Sequence, residues 1–246
     1  MMIPYQKIDI LNLGFLDIKV WGLLVSLGVI LSIFFIVREA KNKKLDLKSI
    51  YDLLFWVLVG IIFGGRLFYV IFNKVNFADV FKIWEGGMSF FGGFIFAVLF
   101  AYIYLKKKKL DIWKHVDLVI LYSSLGYAIG RIGCFLVQDH IGKVSSLPWA
   151  IFYDGALRHP IALYHILLGL GLFIILYKLK DKYFDGFLTI LFMLVYGIVR
   201  FFLDFLRVEP LYYGLTNGQY LSIILVIISV ILLIKRFKSN KKFSKI

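Results

Sequence analysis

Seven largely apolar blocks run through this chain, each about as long as the 20 or so residues a helix needs to cross the hydrocarbon core of a bilayer. They read as Val20–Val37, Ile50–Phe72, Met88–Leu105, Val116–Val137, Pro160–Tyr177, Gly186–Leu206 and Thr216–Ile234. A bilayer offers no water to backbone amides and carbonyls, so blocks of this length close their hydrogen bonds internally as helices. An outer-membrane barrel would show shorter segments of alternating polarity, and none occurs. Hydrophobic residues make up 61% of the chain and charged residues 18%, against roughly half and a quarter in a soluble domain. The expected fold is all-α, a polytopic membrane protein with seven transmembrane helices. No low-complexity linker divides residues 1–246, so one integral membrane domain is expected. The first fifteen residues carry Pro4, Gln6 and Asp9 and lack a basic start, and no cleaved leader is expected.

The formal charge of +14 invites a nucleic-acid reading, which its distribution excludes. Basic residues fall in short runs between apolar blocks rather than on one soluble face. The runs after the first, third, fifth and seventh blocks include Arg38 to Lys48, Lys106 to Lys114, Lys178 to Lys182 and Lys235 to Lys245. The other side holds only Lys7, Lys19, Lys74, Lys82, Lys143, Arg158 and Arg207. Lysine and arginine accumulate in cytoplasmic loops, so the amino terminus is expected outside and the carboxyl terminus in the cytoplasm. Two outside connections are long. One is Gln138–His159; the other, Asn73–Gly87, has Phe77, Val80, Phe81 and Trp84 suited to a short interfacial helix.

Three cations sit inside blocks: Arg66, Arg131 and Arg200. A central arginine costs about 2.5–3.5 kcal/mol on insertion scales, so each needs a partner or a task. All three lie on blocks running from inside to outside, roughly 22–24 Å from the inner boundary at 1.5 Å per residue. Each alone reads as a side chain reaching for the interface. Three at matching height point to a shared polar cavity. Asp204 lies one helical turn from Arg200 and offsets part of its charge. The third, fifth and seventh blocks begin at the same level with positive helix ends. The glycines of Gly86-Gly87, Gly92-Gly93 and Asn217-Gly218-Gln219 there read first as close helix packing and second as backbone amides open to an anion. Arginine's planar fork suits phosphate oxygens, and the abundant phosphate at that depth belongs to a lipid.

These residues resemble those of bacterial prolipoprotein diacylglyceryl transferases. Gly130-Arg131-Ile132-Gly133-Cys134-Phe135, with Asp139 and Gly142, is similar to the family's Gly-Arg-x-Gly-Asn-Phe-x-Asn-x-Glu-x-x-Gly. Gly65-Arg66 with Tyr69, Trp84-Glu85-Gly86-Gly87-Met88-Ser89-Phe90, and Arg158-His159-Pro160 through Leu163-Tyr164 resemble further motifs in order and spacing. So do Tyr196-Gly197, Arg200-Phe201, Asp204-Phe205, Arg207 and Gly218-Gln219. The resemblance implies an enzyme of the bacterial cytoplasmic membrane that moves diacylglyceryl from phosphatidylglycerol to the lipobox cysteine thiol of a preprolipoprotein, with no cofactor and no metal. It implies Arg131 and Arg200 as catalytic cations, and Arg66, Gly86, Gly87, Asp139, Gly142, Tyr196, Asp204 and Arg207, with Arg131, as substrate-binding residues.

Several positions depart from the family pattern. Phe91 stands where the family has histidine, Cys134 and Val137 where it has asparagine, Asp139 for glutamate, Ala162 and His165 for glutamine and glutamate, and Trp21 for tyrosine. His140, His159 and His165 are candidate replacements for the missing base, His140 first because it follows Arg131 most closely. Cys134 reads as a small packing residue. Two other readings stay open: a phospholipid-binding homologue without turnover, suggested by Phe91, and a solute transporter, suggested by the regular spacing of the arginine-bearing blocks.

Overall fold

The computed structural model of the chain describes residues 5–14, 17–73, 80–81 and 87–243. Each apolar block becomes a helix: α1 Val20–Asn42, α2 Leu47–Asn73, α3 Phe90–Lys107, α4 Ile112–Val137, α5 Ile161–Leu179, α6 Phe187–Leu203 and α7 Asn217–Phe243. Among the described residues these seven are long and apolar enough to cross a membrane, and the protein is a multi-pass membrane protein. Several run past the apolar block. α1 continues through Arg38 and Lys41, α4 begins at Ile112, and α7 reaches Phe243. Lysine and arginine are good helix formers, so the backbone ladder continues where the hydrocarbon ends. The sixth block ends differently: α6 stops at Leu203 and tightens into a 3-10 turn over Asp204–Leu206. The interfacial helix expected between Asn73 and Gly87 lies outside the described residues, apart from Val80 and Phe81.

Two compact units make up the chain. One comprises Met1–Phe35 with Val116–Ile246, the other Ile36–His115. In the second, α2 and α3 cross at Gly64 and Gly92, where an added Cβ on Gly92 would stand 2.1 Å from the Gly64 carbonyl. Aromatic rings fill the remaining contact, with Phe96 against Phe63, Phe68 and Phe100.

In the first unit, consecutive helices alternate in direction, so the carboxyl ends of α4 and α6 lie with the amino ends of α5 and α7. The opposite end is held by one carboxylate. Asp117 of α4 accepts from the backbone of Gly186 (2.7 Å) and Thr189 (2.8 Å) and from the Thr189 hydroxyl (2.5 Å). It thereby satisfies amides at the start of α6 that no intrahelical partner reaches.

Short strands cover the other end. β1 (Ile10–Asn12) pairs antiparallel with β2 (Asp17–Lys19). β3 (Ile151–Tyr153) pairs with β4 (Ala156–Arg158) across a turn in which Asp154 and Gly155 both have positive φ. Residues 141–145 run alongside β4, with Ser145 N–H donating to the Leu157 carbonyl at 2.9 Å. On their other side Lys143 N–H donates to the Leu206 carbonyl at 2.8 Å, and Val208 N–H to that of Ile141 at 3.0 Å. The connection from Gln138 is therefore stitched to the segment leaving α6.

Candidate anion-binding site

Within the first unit a closed circuit of polar side chains forms where α4 and α6 end. Arg200, one turn from the end of α6, places Nε 3.1 Å from Asp204 Oδ1 and Nη1 3.2 Å from His165 Nε2. A guanidinium only donates. His165 Nε2 is therefore the acceptor, and its proton sits on Nδ1, which donates to the Tyr127 oxygen at 3.0 Å. The Tyr127 ring lies beneath Arg131, whose Cζ is 5.1 Å from the ring centroid. Arg131 Nη1 points to Cys134 Sγ at 3.9 Å, and that thiol lies 3.9 Å from Asp139 Oδ2. Asp139 Oδ2 is 3.5 Å from His140 Nε2, and His140 Nδ1 accepts from Arg207 Nη2 at 2.9 Å. Arg207 Nη1 returns to Asp204 Oδ1 at 3.2 Å.

Charge in this circuit is unbalanced toward its interior. Arg200 and Arg207 share one deeply buried carboxylate, Asp204, which is 2% exposed, while Arg131 meets a thiol and a ring. The other acids, Asp139 and the Glu209 that Arg207 also contacts, are more exposed at the rim. Arg207 is 5% exposed, and its Nε has no hydrogen-bond partner among the described residues. A buried donor without an acceptor is costly, and surplus guanidinium charge in a poorly solvated site selects an anion.

Asp204 is itself firmly placed. Its second oxygen accepts from the Thr216 hydroxyl at 3.0 Å. Thr216 also caps α7 reciprocally with Gln219: the Gln219 amide donates to Thr216 Oγ1 at 3.1 Å, and the Thr216 amide to Gln219 Oε1 at 2.9 Å. Gly218 is required here, because a Cβ would stand 2.0 Å from Asp204 Oδ2. Gly142 serves the covering strands similarly, with room for a Cβ denied by the His159 carbonyl at 2.2 Å.

Burial, then the fields of Arg207, Arg131 and Arg200, pulls the His140 pKa down to about 3. The ring is neutral at neutral pH. Cys134, Asp139 and His140 present ligand atoms within 4.8 Å of one another and are the described residues able to hold a metal ion. Arg131 contacts the Cys134 thiol and Arg207 the His140 ring, so a divalent cation would enter against two positive charges.

A profile of the prolipoprotein diacylglyceryl transferase family matches residues 9–235. The chain belongs to this family. It is 40% identical over 227 residues to the phosphatidylglycerol–prolipoprotein diacylglyceryl transferase of Finegoldia magna, covering 89% of this chain and 92% of that protein. The enzyme of the same name from Clostridioides difficile is 34% identical over 233 residues, with 92% and 94% covered. That of Ehrlichia ruminantium is 33% identical over 252 residues, with 94% and 97% covered.

The structure brings together Arg131, Arg200, Asp139, Asp204 and Arg207 of the residues expected from the transferase motifs, with His140, the first candidate replacement for the base. Tyr196 joins them through its ring, edge-on to Tyr127 with centroids 5.8 Å apart. Gly142 stands behind the circuit in the covering strands. Arg66 and Gly87 belong to the second unit. There Arg66, 2% exposed, donates to the Gly87 carbonyl at 3.0 Å and lies 5.5 Å from the Tyr69 ring centroid. Gly87 has φ +76° and a Cβ there would meet the Tyr69 ring at 2.4 Å. Gly86 lies outside the described residues.

Two members were not singled out for the site. Tyr127 looks in the sequence like any aromatic in a membrane helix, one turn before Arg131. Cys134 reads as packing, yet its thiol contacts both Arg131 and Asp139. His159, a candidate base, is occupied elsewhere, with Nδ1 3.2 Å from the Tyr164 hydroxyl.

Proposed function

We propose that this chain transfers the diacylglyceryl group of phosphatidylglycerol to the lipobox cysteine of preprolipoproteins in the bacterial cytoplasmic membrane, working at its outer face. The observation that carries the reading is the convergence of Arg131 and Arg200, from two different helices, in one side-chain circuit linked through Tyr127 and His165. The acceptor thiolate forms an S–C bond at the glycerol carbon bearing the phosphate ester. The C–O bond at that carbon breaks, and glycerol phosphate departs with the electron pair. Charge grows on the departing phosphate, and fixed donors aimed at it lower the barrier more than they tighten substrate binding. The same field favours the thiolate of the incoming cysteine over its thiol.

Asp204 holds Arg200 and Arg207 in place, and Arg207 with His140 closes the rim. We assign His140 an orienting role: its lone pair at Nδ1 is occupied by Arg207, and Nε2 carries a proton facing Asp139. Asp139, half-exposed beside it, is the group placed to receive the thiol proton. Arg66, with the Gly87 carbonyl and Tyr69, is proposed as a lipid-phosphate cation of the second unit by itself.

The test is transfer of labelled diacylglyceryl from phosphatidylglycerol to a lipobox peptide by the purified protein, with a thiol-blocked peptide as control. Arg131→Ala and Arg200→Ala are each expected to lower kcat on the order of 10²-fold or more at unchanged protein yield. Full activity in both variants would defeat the assignment. Phospholipid binding without turnover in the unaltered protein would make it a lipid-binding homologue instead.

A further inference from the structure

His165 is fully buried at the amino end of α5, and both of its ring nitrogens are engaged in the circuit. The resemblance has glutamate at this position. The histidine has a specific consequence that follows from its two partners. Arg200 donates to Nε2, so that nitrogen carries a lone pair; the remaining proton is on Nδ1 and is directed at the Tyr127 oxygen. A protonated ring would turn a donor toward the Arg200 donor, so this arrangement requires the neutral ring. A neutral acceptor holds a guanidinium in place without cancelling its charge, as a carboxylate there would.

Tyr127 in turn does two jobs. Its oxygen receives the His165 proton, and its face supports the Arg131 guanidinium. α5 makes room for the ring at Gly169, where an added Cβ would stand 2.9 Å from Tyr127 Cδ1. The edge of Tyr196 closes the other side at 83°. Arg131 and Arg200 come from different helices and, among the described residues, share no carboxylate: Asp204 bonds Arg200, and Cys134 contacts Arg131. The side chains that link the two cations on this side of the circuit are Tyr127 and His165.

We propose that His165 and Tyr127 are a positioning pair that couples Arg131 to Arg200, setting the spacing of the two cations on one phosphate without adding a further carboxylate to offset their charge. The proposal rests on the transferase reading and adds to it two residues outside the signature motifs' expected site.

The experiment is a double-mutant cycle on the full-length protein in phosphatidylglycerol-containing micelles, with kcat and KM for transfer read against folded protein from size exclusion. His165→Leu removes both hydrogen bonds and is expected to lower kcat about 30-fold with little change in KM. His165→Gln offers an acceptor and a donor on one rigid amide and is expected to stay within about threefold of the unaltered enzyme. Tyr127→Phe keeps the ring under Arg131 and loses the oxygen, with about a tenfold fall in kcat, the scale of one hydrogen bond. The double variant His165→Leu/Tyr127→Phe is expected to be no slower than His165→Leu alone within about threefold, because the two residues act through one link.

Multiplying losses in the double variant, or His165→Gln as slow as His165→Leu, would overturn the pair. If His165→Leu does not fold, Tyr127→Phe at unaltered kcat would overturn it and a tenfold fall restored by no other partner change would sustain it. An unaltered protein with no transfer at all would defeat the transferase reading instead, which separates the two failures.

Discussion

Asp204 shows how much one residue organises at this site. Its two oxygens take Arg200, Arg207 and Thr216, so it fixes the last turn of α6 and the first of α7 together. The absence of a side chain at Gly218 protects that arrangement. In Gly218→Ala, the new methyl would displace the Asp204 carboxylate or the Arg200 Nη2 lying 3.1 Å away. Displacing a charged group at a reacting centre by about 1 Å costs on the order of 10²-fold, and kcat for transfer is expected to fall by that order with α-helical content unchanged. Circular dichroism beside the transfer assay checks both. His140 gives a second, pH-linked expectation. Its folded pKa, about 3, lies below the unfolded value near 6.5, so the unfolded state binds a proton that the folded ring refuses. The stability this contributes is complete above pH 6.5 and is lost as pH falls from there toward 3. Asparagine keeps an acceptor for Arg207 and does not titrate. The melting temperature of His140→Asn is expected to fall less between pH 7 and pH 5 than that of the unaltered protein.

At the scale of elements, polar side chains resolve the ends that apolar sequence leaves open. α6 begins under Asp117 of α4, and α7 begins with the Thr216–Gln219 box. Asp117→Ala strips the start of α6 of its acceptor and is expected to destabilise the protein by about 1–2 kcal/mol, the worth of a lost cap. The fall in thermal midpoint measures it, and transfer per folded molecule should be unchanged because Asp117 is at the other end of the helices from the arginines. The covering strands show where element type was harder to read. Residues Gln138–His159 read as a long aqueous connection, and the structure builds β3 and β4 there. Asp154-Gly155 is a strong turn signal in retrospect, but the strands beside it are three residues each. Strands that short are stabilised by neighbours such as residues 141–145, which no local pattern announces.

For the whole molecule, seven membrane-length helices and a biased distribution of lysine and arginine make a topological expectation that is simple to test. Cys134 is the only cysteine, so Cys134→Ser gives a thiol-free background. A cysteine placed at the exposed Val144 is expected to react with a membrane-impermeant maleimide in intact cells, and one at Lys107 only after the cells are opened. The reverse pattern would invert the orientation inferred from charge.

The apolar blocks by themselves determined the seven helices, since within a bilayer each segment must satisfy its own backbone and needs no partner to declare its conformation. Arg131 and Arg200 were legible too, because buried charge is costly enough to mark a task, whereas Arg207 was marked only by its place in the family motif. Tertiary structure alone decided that His165 would bridge Arg200 and Tyr127, that Cys134 would lie between Arg131 and Asp139, and that His140 would bind Arg207 through its lone pair. The histidine–arginine contacts join residues 35 and 67 positions apart in the chain, and the geometry of all three arrangements depends on helix rotation and packing, which hydropathy does not encode.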